Sequence, residues 1–172
     1  WSLTSLINFF NKLNARIFRS EKIDTHGGSI RVYIKKDRKV KIDLSVKKML
    51  QEEERFGIKK FETYKKFGER VYKIRENVLS NVKKLKNQNK KIIGFGAPAK
   101  ATTILNYFGL DEKQFKYIID DNELKHSKFI PGTNIQIISR NIINSKDFDV
   151  VLVLAWNFYN SIIKNNKEFF KY

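Results

Sequence analysis

Between Lys90 and Gly109 the chain reads KKIIGFGAPAKATTILNYFG, an apolar strand pattern running through two glycines into a helix start that carries Lys100, Thr102 and Thr103. Those residue types in that order build an anion cradle. Gly94 and Gly96 permit a tight turn, the first helical turn presents amides under a partial positive charge, and Lys100 adds a full charge. A phosphate or a carboxylate is the guest such a cradle takes. Gly94-x-Gly96-x-x-Ala99 is also the dinucleotide fingerprint with alanine in its third position. Asp120, 24 residues beyond Gly96, ends the next strand pattern, where an acid can accept a ribose hydroxyl. Two readings stay open at this point: a phosphate-bearing ligand, or a turn whose glycines only let the helix pack closely. Pro98 narrows the loop and removes one N–H donor.

A second set, His26-Gly27-Gly28-Ser29-Ile30-Arg31, gathers an imidazole, a hydroxyl and a guanidinium around a permissive bend. Histidine can act as acid or base near neutral pH, and arginine can clamp a diphosphate or carboxylate through two parallel hydrogen bonds. A structural, hydrogen-bonded histidine is the plainer alternative. His126 lies in a polar loop with no partner at metal-ligand spacing and is expected to be exposed. Asp120-Asp121-Asn122 with Lys125, and Trp156-Asn157, both fall at carboxyl ends of strand patterns, where parallel sheets bind ligands. Turn and cap roles serve the same residues equally well. No Ser-His-Asp set, paired-carboxylate helix or HExxH motif is visible. With no cysteine, thiolate zinc sites, disulfides and cysteine nucleophiles are excluded within the chain, and no metal is expected.

The elements that must position these groups follow from periodicity. Ser2 or Thr4 can cap a helix extending to about Phe18, and Ile30, Val32 and Ile34 alternate with polar neighbours as a strand behind the glycine pair. Ser45 starts a helical pattern interrupted near Gly57. From about Lys59 to Gln88 the residues Phe61, Tyr64, Phe67, Val71, Ile74, Val78, Val82 and Leu85 form one apolar stripe, expected to be core. From Lys91 the order becomes strand, helix, strand: KIIGFG, PAKATTILNYFGL, FKYIIDDN, the short NIQII, the buried strand DFDVVLVLAW and a closing helix. Such βαβ units predict an α/β class with a Rossmann-like, partly parallel sheet, preceded by a helical connector. The segments are 1–42, 43–89 and 90–172.

The chain has 172 residues, is 41% hydrophobic and carries a formal net charge of +17. That is enough for a real core and for attraction to polyanions. The lysines are scattered over helical faces, which predicts a solvated basic surface. Aromatics in FETYKKFGERVYK fall mostly on the apolar stripe instead of forming a base-stacking platform, so nucleic acid is not an expected partner. No apolar run approaches the roughly 20 residues needed to span a bilayer, and no signal peptide is apparent. A cytoplasmic location without membrane partners is expected. The first residue is Trp1, which predicts processing or a fragment of a longer protein.

Taken together, HGGSIR, Glu53 to Gly57, GFGAPAKATTILNYFGL, IIDDNELKHSKFIPGTNIQI and DVVLVLAWN resemble the C-terminal half of the S-adenosylmethionine-dependent nucleotide-sugar C-methyltransferases. The order and spacing match along nearly the whole chain. The resemblance implies a carbon methylation of a nucleotide-linked ketodeoxysugar: a base removes the proton beside the sugar ketone, and the enolate attacks the methyl group of S-adenosylmethionine. It further implies that 1–42 finish the catalytic domain, that the expected base lies upstream of Trp1, and that zinc and cofactor-binding domains belong to the full-length protein. This stretch alone is then expected to hold no cofactor and to be inactive. On the same basis His26, Ser29 and Arg31 face the substrate side, and Gly94, Gly96, Lys100 and Thr102 surround the nucleotide-sugar phosphates. Ser161 stands where the family pattern has an acidic residue. A dinucleotide-binding domain of an oxidoreductase and a non-catalytic packing or dimerisation domain are the rival readings.

Overall fold

The computed structural model describes residues 1–37, 39–167 and 170, and for His26 the backbone alone. The chain forms two compact units, 1–71 and 72–172. The first opens with helix α1 (Leu3–Lys12), capped reciprocally by Ser2 and Ser5. Helix α1 is shorter than its apolar spacing predicts. Asn14 turns the backbone into the left-handed region at φ 53°, and strand β1 (Arg16–Ile23) pairs antiparallel with strand β2 (Ser29–Lys35). Asparagine tolerates that conformation better than most side chains, so it is a natural place for the helix to stop. Ile17, expected on the helix, is instead a buried strand residue packed with Leu3, Val46 and Met49.

Gly27 and Gly28, at φ 86° and 112°, make the bend between the two strands. Helix α2 (Leu44–Phe56) starts where the Asp43 carboxylate accepts the Ser45 amide and ends at Gly57, whose φ of 79° closes it with a left-handed cap. Helix α3 (Phe61–Asn87) runs on from the first unit into the second. Its stripe is core only in part: Val82 is buried with Val78 and Leu79 beside it, whereas Phe61, Tyr64, Phe67 and Ile74 are exposed.

The second unit is built on a four-stranded parallel sheet in the order β5-β4-β3-β6, formed by β3 (Ile92–Phe95), β4 (Tyr117–Ile119), β5 (Gln136–Ile138) and β6 (Val150–Val153). Phe95 stands level with Ile119 on one side and Val153 on the other. Successive residues feed opposite faces. Ile118, Ile137 and Leu154 pack with Ala101, Leu105 and Phe108 of helix α4 (Ala99–Phe108), while Ile93, Phe95, Ile119 and Ile138 pack with Ile162 of helix α5 (Tyr159–Asn165). This is the α/β, Rossmann-like arrangement that the sequence predicts. The strand DFDVVLVLAW proves half-buried, because β6 is an edge strand. Among the described residues no helix is long and apolar enough to cross a membrane.

Candidate functional site

Strand order fixes where a ligand is to be sought. From β3 the chain proceeds to β4 and β5 on one side and then returns to β6 on the other, so the loops after β3 and β6 diverge at their carboxyl ends. In open parallel sheets that divergence is the usual binding crevice. The turn after β3 lies there. Gly96 sits at φ 85°, and its amide donates to the Ile119 carbonyl at 2.7 Å. A β-carbon on Gly96 would lie 2.5 Å from that of Ala155, and one on Gly94 would lie 2.6 Å from Ile118 Cγ1. Each glycine therefore has a packing reason of its own, independent of any ligand.

Beyond the turn, Pro98 occupies the cap position of α4 and brings no side-chain acceptor to its first-turn amides. Lys100 is half-buried, with its ammonium 4.8 Å from the centroid of the Trp156 ring, a cation–π contact. Thr102 is half-buried one turn into the helix, and its carbonyl accepts the Asn106 side-chain amide at 2.8 Å. Trp156 opens a 3-10 turn through Phe158, immediately after β6, and is 44% exposed. The structure thus brings Gly96 against Ala155 and Lys100 against Trp156, both from the opposite strand end, whereas Gly94 is buried within β3 against Ile118 and Phe115, and the Thr102 carbonyl is engaged by Asn106.

Asp120 is placed under this turn instead of at its mouth. It is only 9% exposed, and its polar atoms are all engaged. Oδ2 accepts the Ala97 amide at 2.7 Å, Oδ1 accepts the Asn122 amide at 3.0 Å, and the Lys125 ammonium lies 3.1–3.2 Å from both oxygens. Its own amide donates to Ile138, and its carbonyl faces His126 Nε2 at 2.7 Å. A carbonyl only accepts, so Nε2 carries the proton. His126, expected to be exposed, is accordingly half-buried and fastened to the end of β4.

The other candidates belong to the first unit. Ser29 donates to the Thr25 carbonyl at 3.0 Å, and Arg31 lies 3.8 Å from Glu21 on β1. The His26 side chain lies outside the described residues. Ser29 lines an open hollow of about 770 Å³ together with Trp1, Leu6, Lys22, Asp24 and Ile30. A larger hollow of about 990 Å³ runs beside Phe18, Ile42, Leu44, Val46 and Leu50, and its wall is chiefly apolar. Among the described residues no three of His, Asp or Glu gather as a metal site. One perturbed carboxyl in the second unit, Asp149, is held below its usual range by the Lys91 amide and then by Lys90. It ties the amino-terminal ends of β3 and β6, away from the turn.

The fold defines the class: a Rossmann-like α/β unit, with a helix amino terminus and a lysine at the strand-order reversal. Residues 24–172 match the C-methyltransferase C-terminal domain, and the chain belongs to that family. The C-methyltransferase NovU of Streptomyces niveus is 33% identical over an alignment 172 residues long, which covers 98% of this chain and 40% of that protein. The chain thus spans about two fifths of the length of this curated relative.

Proposed function

We propose that these residues form the substrate-side region of a C-methyltransferase that modifies a carbon of a nucleotide-linked ketodeoxysugar. One observation carries this reading: the uncapped amino terminus of α4, with Lys100 beside it, opens at the carboxyl ends of β3 and β6. There the first-turn amides and Lys100 would take the diphosphate, and the Thr102 hydroxyl would add a donor one turn further on. His26, Ser29 and Arg31 are assigned to the sugar side on the family resemblance.

S-adenosylmethionine supplies the methyl group when it is bound to the whole enzyme. The second unit fits neither that cofactor nor a dinucleotide well, because the carboxylate that would accept a ribose hydroxyl, Asp120, is already shared among Ala97, Asn122 and Lys125. Cofactor binding and proton abstraction are therefore assigned to other parts of the enzyme, and the described residues are given binding and positioning roles. The test is Lys100→Ala in the full-length enzyme. Affinity for the nucleotide sugar, read by calorimetry, should fall about tenfold, as for loss of a charge-assisted contact. Unchanged affinity would show that the cradle holds no phosphate.

A further inference from the structure

Ala97 is the residue between the second glycine and Pro98, and both polar groups of its backbone are held by side chains from the segment that follows β4, Asp120 directly after the strand and Lys125 at the end of the 3-10 turn Glu123–Lys125. Its amide donates to Asp120 Oδ2 at 2.7 Å, and its carbonyl accepts the Lys125 ammonium at 3.0 Å. Asp120 and Lys125 are themselves an ion pair at 3.1 Å, with side chains 11% and 35% exposed. We propose that Asp120 and Lys125 are a positioning pair which clamps the Ala97 backbone and thereby sets where the α4 amino terminus and Lys100 meet a diphosphate. The inference rests on the ligand reading given above.

Three features make this a clamp and not simply one more surface salt bridge. The contacts close a triangle: carboxylate to amide, ammonium to carbonyl, carboxylate to ammonium. The Ala97 amide lies in the Gly96–Ala97 peptide and its carbonyl in the Ala97–Pro98 peptide, so the pair fixes two successive peptide planes, each by a charge-assisted bond. The carboxylate is largely removed from water, so the pair is screened less than an exposed one. Asp120 is in turn fixed at every polar atom, by Asn122, Ile138 and His126, so the clamp is anchored to β4 and β5. Because Asp120 neutralises Lys125, the net positive charge facing a guest comes from Lys100 and the α4 dipole. Neither Asp120 nor Lys125 needs to touch the ligand.

The experiment measures dissociation constants of the intact enzyme for ADP, CDP, GDP and dTDP by calorimetry, in wild type, Lys100→Ala, Asp120→Asn and Lys125→Met. For the tightest of the four probes, Asp120→Asn and Lys125→Met should each weaken binding about tenfold, with the number of sites per chain unchanged. A merely structural role would do the reverse, reducing the number of competent sites while leaving the dissociation constant of the folded remainder alone. Should Asp120→Asn fail to fold, Lys125→Met decides, since it leaves the bond from the Ala97 amide to Asp120 in place. Weakened binding in Lys100→Ala with unchanged constants in both clamp variants would overturn the clamp and leave the ligand reading standing. No diphosphate binding by the wild-type enzyme would overturn both.

Discussion

Gly96 combines two constraints that are usually met separately. Its φ of 85° strains any side chain, and the β-carbon of Ala155 fills the space a methyl group would need. Gly96→Ala is therefore expected to destabilise the second unit by about 2–4 kcal/mol, adding left-handed strain to overpacking. Urea denaturation followed by circular dichroism measures it. A midpoint unmoved from wild type would mean that β6 yields easily and that the glycine is there for a ligand instead. The fingerprint spacing reveals both glycines, but it does not separate these roles, since close packing and close phosphate approach ask for the same missing side chain. Ala155, the partner that decides the matter, lies 59 residues away in sequence. Lys125 is legible in the sequence as a candidate beside Asp120, but its partner is not: its bond to the Ala97 carbonyl spans 28 residues, and no local spacing encodes it.

At the scale of elements, α2 does more than pack. Glu53 reaches from its interior to the start of α1, accepting the Leu3 and Thr4 amides at 2.5 and 2.9 Å and the Thr4 hydroxyl at 2.7 Å. These amides are among those a helix leaves unpaired at its amino terminus, and a carboxylate there also complements the helix dipole. Glu53→Ala should lower the stability of the first unit by about 1–2 kcal/mol, comparable to loss of a strong cap. Amide exchange along α1 checks this, with Leu6 and Ile7 exchanging faster than in wild type; unchanged protection would assign the capping wholly to Ser2 and Ser5. The βαβ elements of the second unit were legible because short apolar runs alternate there with helical spacing and glycine or proline breaks. Gly57 likewise marks the end of α2. Strand β1 was not legible. Leu13 and Ile17 continue the helical spacing of α1, and the strand's pairing partner comes only after the glycine bend, so tertiary pairing overrides the local pattern. Asn14 was the available signal. The stripe on α3 is helical as its spacing predicts, but the expectation that it is core holds only in part, because periodicity identifies a face without saying what covers it.

For the whole molecule, the two units differ in how much apolar side chain each removes from water. The first relies on Leu3, Ile17, Val46 and Met49 around a two-stranded hairpin, and isolated hairpins are marginal without further cover. The second buries apolar residues on both faces of its four-stranded sheet. Burial of this kind is the main favourable term in folding, so the opening free energies of the two units should be unequal in this chain. Native-state hydrogen exchange in increasing urea is expected to give two sets of amides. Those of β1 and β2 should open at the lower free energy and with the smaller urea dependence, because less surface is exposed, while those of Ile93, Phe95, Ile118 and Ile119 should exchange last. A single isotherm shared by both sets would show instead that α3, which is continuous through residues of both units, couples them into one cooperative structure. In the full-length protein the same measurement gains a further use. If 1–42 complete a catalytic domain, as the family resemblance implies, protection of β1 and β2 should rise there to match that of the second unit, whereas protection of β3 and β4 should stay as it is in this chain.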